Sequence, residues 1–372
     1  MSAPNDEPLD QRIARLIAPQ VRALSAYAVA NAAGLIKLDA MENPYPWPAE
    51  LKDEWLERLR GVDVNRYPDP RAAELKERLR GIMAVPASAD ILLGNGSDEL
   101  IQLLILAIGG PGSVVFALDP SFAMYALVAR ATGRRFVSVP LDEANFGLRL
   151  GETLEAIRQR KPALTFIAYP NNPTGNLFDS GHVEAILDAS PGLVVVDEAY
   201  APFAQASFLA QLVGRPNLVV LRTVSKLGLA GLRLGMLAGA PEWARELEKL
   251  RLPYNINALT QASAELALSH YPLFQEQTRR IVADRDDLYA RLAAVDGIQV
   301  WPSKANFLLI RTPPGTGSAT VAALRERGVL VKDLHGASPL LRDCVRVTVG
   351  RPEENAAFFE ALVEIIAAGA SE

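Results

Sequence analysis

The feature that most constrains the fold of this 372-residue chain is a series of seven short apolar runs separated by segments of helical periodicity. The runs lack the polar alternation of half-buried strands, which is typical of strands covered on both faces by helices. The runs are DILLGNG, SVVFAL, RRFVSVP, ALTFIAYP, GLVVVDEAY, NLVVLRT and LGMLAGA. The helical segments between them include SDELIQLLILAI, FAMYALVARAT and SGHVEAILDAS. The pattern predicts an α/β fold in which helices flank a mostly parallel central sheet.

The sequence changes in texture toward the C-terminus, where IQVWPSKANFLLIRT, VLVKDL and DCVRVTVG predict strands around one helix. This pattern predicts a smaller α+β domain. The residues before about position 45 carry no sheet of their own, so we expect an arm that returns to the small domain. The predicted organisation is an arm over 1–44, a large domain over 45–275 and a small domain over 276–372.

Composition and charge exclude several classes of function. The net charge of −5 gives no support for nucleic-acid binding, and the longest largely apolar run, residues 100–108, is too short to cross a bilayer. The N-terminal residues lack the basic start and continuous apolar stretch of a secretory signal. The single cysteine, Cys344, leaves no internal disulfide. We therefore expect a cytoplasmic protein, and the sequence predicts no metal site.

A glycine pair precedes a predicted helix in ILLGNGSDEL. Gly94 and Gly96 let the backbone approach a ligand, and we expect Ser97 to cap the helix with Asp98 in its first turn. Free N–H groups at the start of a helix favour a phosphate. Taken alone, the same residues also describe an ordinary capped helix.

Polar residues also follow two of the apolar runs. One asparagine of the turn YPNNPTGN either points into the crevice where α/β sheets bind ligands or only shapes the turn. Asp197 ends the run GLVVVDEAY, where a buried carboxylate needs a partner. A protonated heterocyclic nitrogen, a salt bridge and a helix cap all satisfy that need. Tyr200 either adds a phenol to the same cavity or packs in the core.

The segment TVSKLGLAGLRLG places Lys226 among leucines. Burial lowers the proton affinity of a lysine and leaves an amine that forms a Schiff base with a carbonyl. Ser225 and Arg233 offer a hydroxyl and a guanidinium, the groups that hold a phosphate ester. With Asp197 and Tyr200, these residues supply a phosphate site, a pyridinium partner, a phenol and an imine-forming amine. That set fits pyridoxal 5′-phosphate.

These motifs extend over nearly the whole chain, and in their order the sequence resembles the fold-type I pyridoxal-phosphate-dependent aminotransferases. Within that family it is most similar to the histidinol-phosphate aminotransferases. The resemblance is carried by KLDAMENPYP, NRYPDP, GNGSDEL, YPNNPTG, VVVDEAY, TVSKLGLAGLRLG, KANFLL and CVRVTVGRPEEN. It implies exchange of an amino group between L-histidinol phosphate and 2-oxoglutarate, a step of histidine biosynthesis, by a homodimer that uses pyridoxal 5′-phosphate.

The resemblance also implies a role for each residue of the cofactor site. Lys226 binds the cofactor covalently and moves the proton, and Asp197 pairs with the ring nitrogen. Asn172 and Tyr200 hydrogen-bond the phenolic oxygen of the ring, and Phe122 stacks on the ring face. The groups implied for the phosphate are the backbone N–H groups of Ser97 and Asp98 and the side chains of Ser225 and Arg233.

Other residues are implied at the subunit boundary and around the substrate. Tyr67, from NRYPDP, reaches the cofactor phosphate of a neighbouring subunit. Arg346, in the strand CVRVTVG, meets the anionic group of the substrate, and Tyr27 and Asn43 complete the pocket.

Two residues depart from the family's pattern. Phe122 stands where some members have a stacking tyrosine, and Lys332 stands where a second arginine is often found, which removes the fork that grips a phosphate. An aromatic amino-acid aminotransferase is the alternative function, because an arginine that accepts phosphate also accepts carboxylate. A pyridoxal-phosphate-sensing regulatory protein is a remote alternative, since the sequence shows no basic DNA-binding module ahead of the predicted fold.

Overall fold

The computed structural model describes residues 7–26 and 29–369. The strands are β1 (Ile36–Lys37), β2 (Asp90–Asn95), β3 (Val114–Asp119), β4 (Arg135–Pro140), β5 (Leu164–Ala168), β6 (Leu193–Asp197), β7 (Leu218–Thr223), β8 (Leu234–Gly239), β9 (Gln299–Val300), β10 (Phe307–Arg311), β11 (Val329–Leu330), β12 (Lys332–Asp333) and β13 (Cys344–Thr348). The helices are α1 (Leu9–Leu16), α2 (Pro19–Arg22), α3 (Ala49–Arg60), α4 (Ala73–Met83), α5 (Ser97–Ala107), α6 (Ala123–Ala131), α7 (Leu150–Arg160), α8 (Ser180–Ala189), α9 (Ala201–Ala204), α10 (Pro241–Glu248), α11 (Ala258–Ser269), α12 (Tyr271–Ala293), α13 (Gly317–Glu326) and α14 (Pro352–Gly369). Within those two ranges, every helix is too short or too polar to span a lipid bilayer.

All seven apolar runs form strands of one sheet, in the order β2-β8-β7-β6-β5-β3-β4. β8 is antiparallel to both of its neighbours, and the other neighbouring strands are parallel. Val194 and Val196 of β6 pack into one buried cluster, whereas Leu193 and Val195 pack into another. Because successive side chains of a strand point to opposite faces, both faces of this sheet are covered. The predicted α/β fold with a mostly parallel central sheet is confirmed.

A second sheet has four antiparallel strands in the order β12-β13-β10-β9. One face of it packs in a separate cluster with α14, through side chains such as Leu308, Val345 and Phe358, whereas Leu309 and Cys344 belong to a cluster shared with the large sheet. The sequence did not predict β1, which pairs in parallel with β11 and so joins the N-terminal segment to this part of the chain. The proposed boundary between residues 275 and 276 falls inside α12, which contacts both the turn after β7 and β9.

Candidate active site

A cavity of about 830 Å³ lies at the carboxyl ends of the parallel strands of the large sheet. Its lining includes the last residues of β5, β6 and β7, which are Ala168, Asp197 and Thr223. Across the cavity, Lys332 of β12 and Arg346 of β13 contribute from the small sheet. Crevices at the carboxyl ends of such strands are where α/β sheets bind ligands, so this cavity is the candidate active site.

The cavity brings together most of the residues predicted for the site. The predicted residues that line it are Ser97, Asp98, Phe122, Asn172, Asp197, Tyr200, Ser225, Lys226, Arg233, Lys332 and Arg346. Tyr27 lies outside the described residues. Tyr67 and Asn43 are described but do not line the cavity.

Asn43 lies beside the cavity, where its side chain is hydrogen-bonded to two neighbouring residues. Its Nδ2 donates to the carbonyl oxygen of Leu227 at 3.0 Å and to Oε1 of Gln277 at 2.9 Å. Asn43 therefore supports the turn that carries Lys226. Tyr67 is 80% exposed, and its ring stacks on that of Tyr254 with centroids 4.4 Å apart.

Lys226 lies in a 3₁₀ turn, Ser225–Leu227, that follows β7 and ends at Gly228 with φ near +113°. Its Nζ donates to the carbonyl oxygen of Ala40 at 3.4 Å and lies 5.6 Å from the centroid of the Tyr200 ring. Burial first, and the positive charge of Arg346 second, lower the pKa of Lys226 from 10.5 to about 8. An appreciable neutral fraction near pH 7 makes this amine a nucleophile toward carbonyls.

Asp197 is 5% exposed at the end of β6. Its Oδ2 accepts a hydrogen bond from the hydroxyl of Tyr125 at 2.6 Å, and its Oδ1 accepts one from the backbone N–H of Ala199 at 3.1 Å. Burial raises the pKa of Asp197 to about 6, while these two hydrogen bonds act in the opposite direction.

Neither structural alternative for Asp197 describes its surroundings. No lysine, arginine or histidine in the described part of the chain forms a salt bridge with it, and the N-cap of the next helix is Tyr200. A buried carboxylate without a protein cation favours a cationic ligand group.

Asn172 connects the large sheet to the small one. Its Nδ2 donates to the hydroxyl of Tyr200 at 3.1 Å, and its Oδ1 accepts from Nη1 of Arg346 at 2.6 Å. Nη2 of Arg346 donates to the carbonyl oxygen of Asp39 at 2.9 Å. Lys332 pairs with Arg346 in the register of β12 and β13, which places two cations side by side at the cavity. Such a pair is suited to an anionic substrate group.

The glycine-rich loop before α5 differs from the prediction in one respect. Gly96 is the N-cap and Ser97 is the first helical residue, so the predicted capping role of Ser97 is wrong. Gly96 has φ near +78°, and a Cβ there would lie 2.5 Å from Nη2 of Arg233. A Cβ on Gly235 would lie 2.6 Å from the backbone N of Ser97. Glycine at both positions therefore lets a guanidinium and a strand approach the N-terminus of α5, where free N–H groups favour a phosphate.

Sequence reasoning missed Tyr125, the hydrogen-bond donor to Asp197. The two residues are 72 positions apart, and Tyr125 appears in the sequence only as one apolar position of the helix FAMYALVARAT. No local signal distinguishes it from ordinary core packing. The contact is fixed by the packing of α6 against the sheet.

The family model for aminotransferase class I and II matches residues 33–362. The chain belongs to the aminotransferase class I and II family. The family predicted from the sequence is thereby confirmed.

Curated relatives of this aminotransferase extend over nearly the full chain. It is 56% identical over 351 residues to histidinol-phosphate aminotransferase 2 of Nitrosococcus oceani, which covers 94% of this chain and 97% of the relative. It is 49% identical to histidinol-phosphate aminotransferase 1 of Ralstonia nicotianae, with 97% of each chain covered. Among solved structures, histidinol-phosphate aminotransferase from Sinorhizobium meliloti in complex with pyridoxal-5'-phosphate has a TM-score of 0.83 at 24% identity, covering 94% of this chain and 97% of that one. The structural likeness supports the fold.

Proposed function

We propose that this aminotransferase exchanges an amino group between L-histidinol phosphate and 2-oxoglutarate in histidine biosynthesis, with pyridoxal 5′-phosphate as its cofactor. The observation that carries the proposal is that one cavity holds both an amine of lowered pKa and a buried carboxylate with no cationic partner among the residues that the structure describes. Relatives that are 49% to 56% identical over nearly the full chain are named histidinol-phosphate aminotransferases.

The residues present fit pyridoxal 5′-phosphate. Asp197 offers a negative charge for the ring nitrogen, and Lys226 offers an amine for the aldehyde. The glycines at 96 and 235 leave room beside the N-terminus of α5, where the phosphate would meet backbone N–H groups and Arg233. The cavity, at about 830 Å³, is in the size range of cofactor and substrate sites.

The remaining contacts would fix the orientation of the ring. Asn172 and Tyr200 would bind the phenolic oxygen, and Phe122, whose ring packs edge-on against Tyr125 with centroids 5.5 Å apart, would cover one face. The phosphate would be held by the N–H groups of Ser97 and Asp98 and by the side chains of Ser225 and Arg233. When bound, the cofactor supplies an electron-poor ring that accepts the electron pair of the substrate's Cα–H bond.

The protein's own groups bind the substrate and move the proton. Lys226, once its amine is free, would move the proton between the α-carbon of the substrate and the C4′ carbon of the cofactor, because its lowered pKa permits both protonation states near neutral pH. Arg346 binds the anionic group of the donor or of the keto acid. Val29 and Ala30, from the N-terminal segment, line the cavity and reduce the access of water.

A panel of amino donors with 2-oxoglutarate as acceptor tests the proposed substrate. We expect the highest kcat/KM for L-histidinol phosphate, because the phosphate meets both Arg346 and Lys332. Phenylalanine is the discriminating donor, and a tenfold preference for it would replace this proposal with an aromatic amino-acid aminotransferase. Release of CO₂ without stoichiometric glutamate would indicate a decarboxylase.

A homodimer is part of the proposal, with Tyr67 binding the cofactor phosphate of the other subunit. Its support is that Tyr67 is 80% exposed and stacks on Tyr254, which is itself 38% exposed, so this aromatic pair lies at the surface of the single chain. We expect Tyr67→Phe to weaken cofactor binding roughly tenfold, since a hydrogen bond to a charged group is lost.

Mixed subunits test whether Tyr67 acts across the boundary. Lys226→Ala and Tyr67→Phe proteins would be dissociated and reassociated at limiting cofactor, with Tyr289→Phe as the control partner. A mixed dimer contains one intact site if Tyr67 crosses between subunits, so activity should rise above that of either parent. The absence of any rise would remove Tyr67 from this role.

A further inference from the structure

Tyr125 is a fully buried phenol whose hydroxyl lies 2.6 Å from Oδ2 of Asp197. Asp197 lines the cavity, whereas Tyr125 is not among the described residues of its lining. The hydroxyl therefore contacts the carboxylate from behind, on the side that a ligand does not occupy. No step of the proposed reaction requires Tyr125 to touch the substrate or the cofactor.

The ring of Tyr125 is held in a fixed position. It stacks on Phe166 of β5, with ring centroids 4.4 Å apart and an angle of 10° between the planes. Phe122 packs edge-on against it from the cavity side. β5 pairs directly with β6, the strand that ends at Asp197, so the donor on α6 stacks against the strand next to the one that carries the acceptor. The direction of the hydrogen bond is thus set by the core.

We propose that Tyr125 is a positioning residue that keeps the Asp197 carboxylate ionised and directed at the ring nitrogen of the cofactor. This inference rests on the proposed function. A phenol that donates to a carboxylate stabilises the ionised form, and the benefit is largest where water is excluded. Without that donor, Asp197 would be a stronger base and would draw the proton away from the ring nitrogen.

The other charged groups near this pair do not replace the phenol. Asp98 of α5 and Glu198, the next residue in the chain, both raise the pKa of Asp197 by like-charge repulsion. Tyr200 lies close enough to raise the pKa of Tyr125. Burial first, and the negative charge of Asp197 second, keep the Tyr125 hydroxyl protonated by raising its pKa well above the usual range. Tyr125 therefore remains a hydrogen-bond donor at neutral and acidic pH, where Asp197 titrates.

The test is the pH dependence of cofactor binding, measured as the dissociation constant of pyridoxal 5′-phosphate from the apoprotein. Binding should weaken on the acid side as Asp197 becomes protonated. In Tyr125→Phe, which keeps the ring and its stacking, we expect this acid limb to lie about one pH unit higher, a tenfold change in proton affinity. Asp197→Asn should abolish this acid limb, which would assign the limb to the protonation of Asp197. Tyr271→Phe removes the hydroxyl of a partly buried tyrosine elsewhere in the core and should leave the acid limb in place.

A second substitution does not depend on the folding of Tyr125→Phe. Site-specific incorporation of 3,5-difluorotyrosine at position 125 makes the phenol a stronger donor with nearly the same shape, so the acid limb should move to lower pH. Superimposed limbs in the unmodified and the substituted proteins would overturn the inference while leaving the proposed function intact. Absence of saturable binding in the unmodified protein would contradict the proposed function, and the role of Tyr125 with it.

Discussion

The two walls of the cavity are built differently. The large-sheet wall, formed by Asp197, Asn172 and Tyr200, consists of buried groups that stand at or just after strand ends. The small-sheet wall, formed by Arg325, Lys332 and Arg346, draws on α13, β12 and β13, and its cations range from buried Arg346 to exposed Arg325. The first wall lies at the ends of paired strands of one sheet, whereas the second wall is assembled from separate segments. Changes in the first wall should therefore alter kcat, and changes at the second should alter KM.

Arg325 illustrates how the small-sheet wall is assembled. Its Nη2 donates to the carbonyl oxygen of Asn31 at 3.1 Å, a contact between residues 294 positions apart. The N-terminal segment is thereby held over the cavity by a side chain at its mouth. By contrast, the register of β6 with its neighbouring strands puts the backbone of Asp197 at the sheet edge, and only its carboxylate contacts a distant residue, Tyr125.

Asp197 and Glu198 show the same contrast between adjacent residues. Glu198 is 1% exposed, and its carboxylate binds Nη2 of Arg222 at 2.7 Å and the hydroxyl of Ser207 at 2.9 Å. Asp197 accepts hydrogen bonds, but among the residues that the structure describes no cationic side chain pairs with it. Of these two adjacent buried carboxylates, Glu198 is thus neutralised by a protein cation, whereas the charge of Asp197 remains for a ligand to neutralise.

Removal of Lys226 should have the largest effect of any single change. Lys226→Ala deletes the amine that binds the cofactor and moves the proton, so we expect kcat to fall roughly 10⁴-fold or more while the fold persists. Borohydride reduction followed by mass mapping should label the Lys226 peptide in the unmodified protein only. Lys249→Ala, an exposed change on α10, is the control. Retained turnover, or a label on another peptide, would contradict the assignment.

Asp197→Asn and Glu198→Gln should separate chemistry from stability. Asp197→Asn should lower kcat roughly 10³-fold with little change in thermal unfolding, because a neutral amide does not keep the ring nitrogen protonated. Glu198→Gln leaves the guanidinium of Arg222 without its charged partner and should destabilise the fold by roughly 3 kcal/mol. Thermal melting and steady-state kinetics of both variants check this. Equal losses of kcat would show that the two carboxylates have no such division of roles.

The sequence predicted the large sheet and the residues at its edge because both depend on local signals. Continuous apolar runs mark strands covered on both faces, and Asp197 follows one of them directly. The same logic places Asn172 and Lys226 just after strand ends, and the structure puts all three at the cavity. Their roles in catalysis stay predictions.

Contacts between distant segments left no such signal. The hydrogen bond between Arg346 and Asn172 joins residues 174 positions apart, and the sequence near either residue does not predict the contact. Gly96, rather than Ser97, is the N-cap of α5, and the close approach of Arg233 to Gly96 joins segments 137 positions apart, so no local pattern shows it. The role predicted for Tyr67, which is exposed in the single chain, would require a second subunit and stays a prediction.

Lys332 should affect the phosphate-bearing donor more than an uncharged one. In Lys332→Ala we expect KM for L-histidinol phosphate to rise roughly 10- to 100-fold with kcat nearly unchanged, since one charge-assisted contact is lost. KM for phenylalanine should rise less, and Lys332→Arg should preserve or improve phosphate binding through its forked guanidinium. If KM rises equally for both donors, Lys332 does not face the phosphate, and the small-sheet wall does not distinguish phosphate-bearing donors from others.

The smallest expected effect is on the pH dependence of the rate at which the apoprotein binds the cofactor covalently. This measurement also tests whether Arg346, in the small-sheet wall, affects Lys226. With a pKa of about 8, roughly a tenth of Lys226 is neutral at pH 7, whereas an ordinary lysine would have fewer than about one neutral amine in a thousand. The capture rate, followed by stopped-flow absorbance, should therefore rise about tenfold from pH 7 to 9 and then level off. Arg346 is the second cause of the lowered pKa, so Arg346→Met should move the plateau to higher pH. A rate that climbs beyond pH 10 in the unmodified protein would mean that neither burial nor the small-sheet wall tunes this amine.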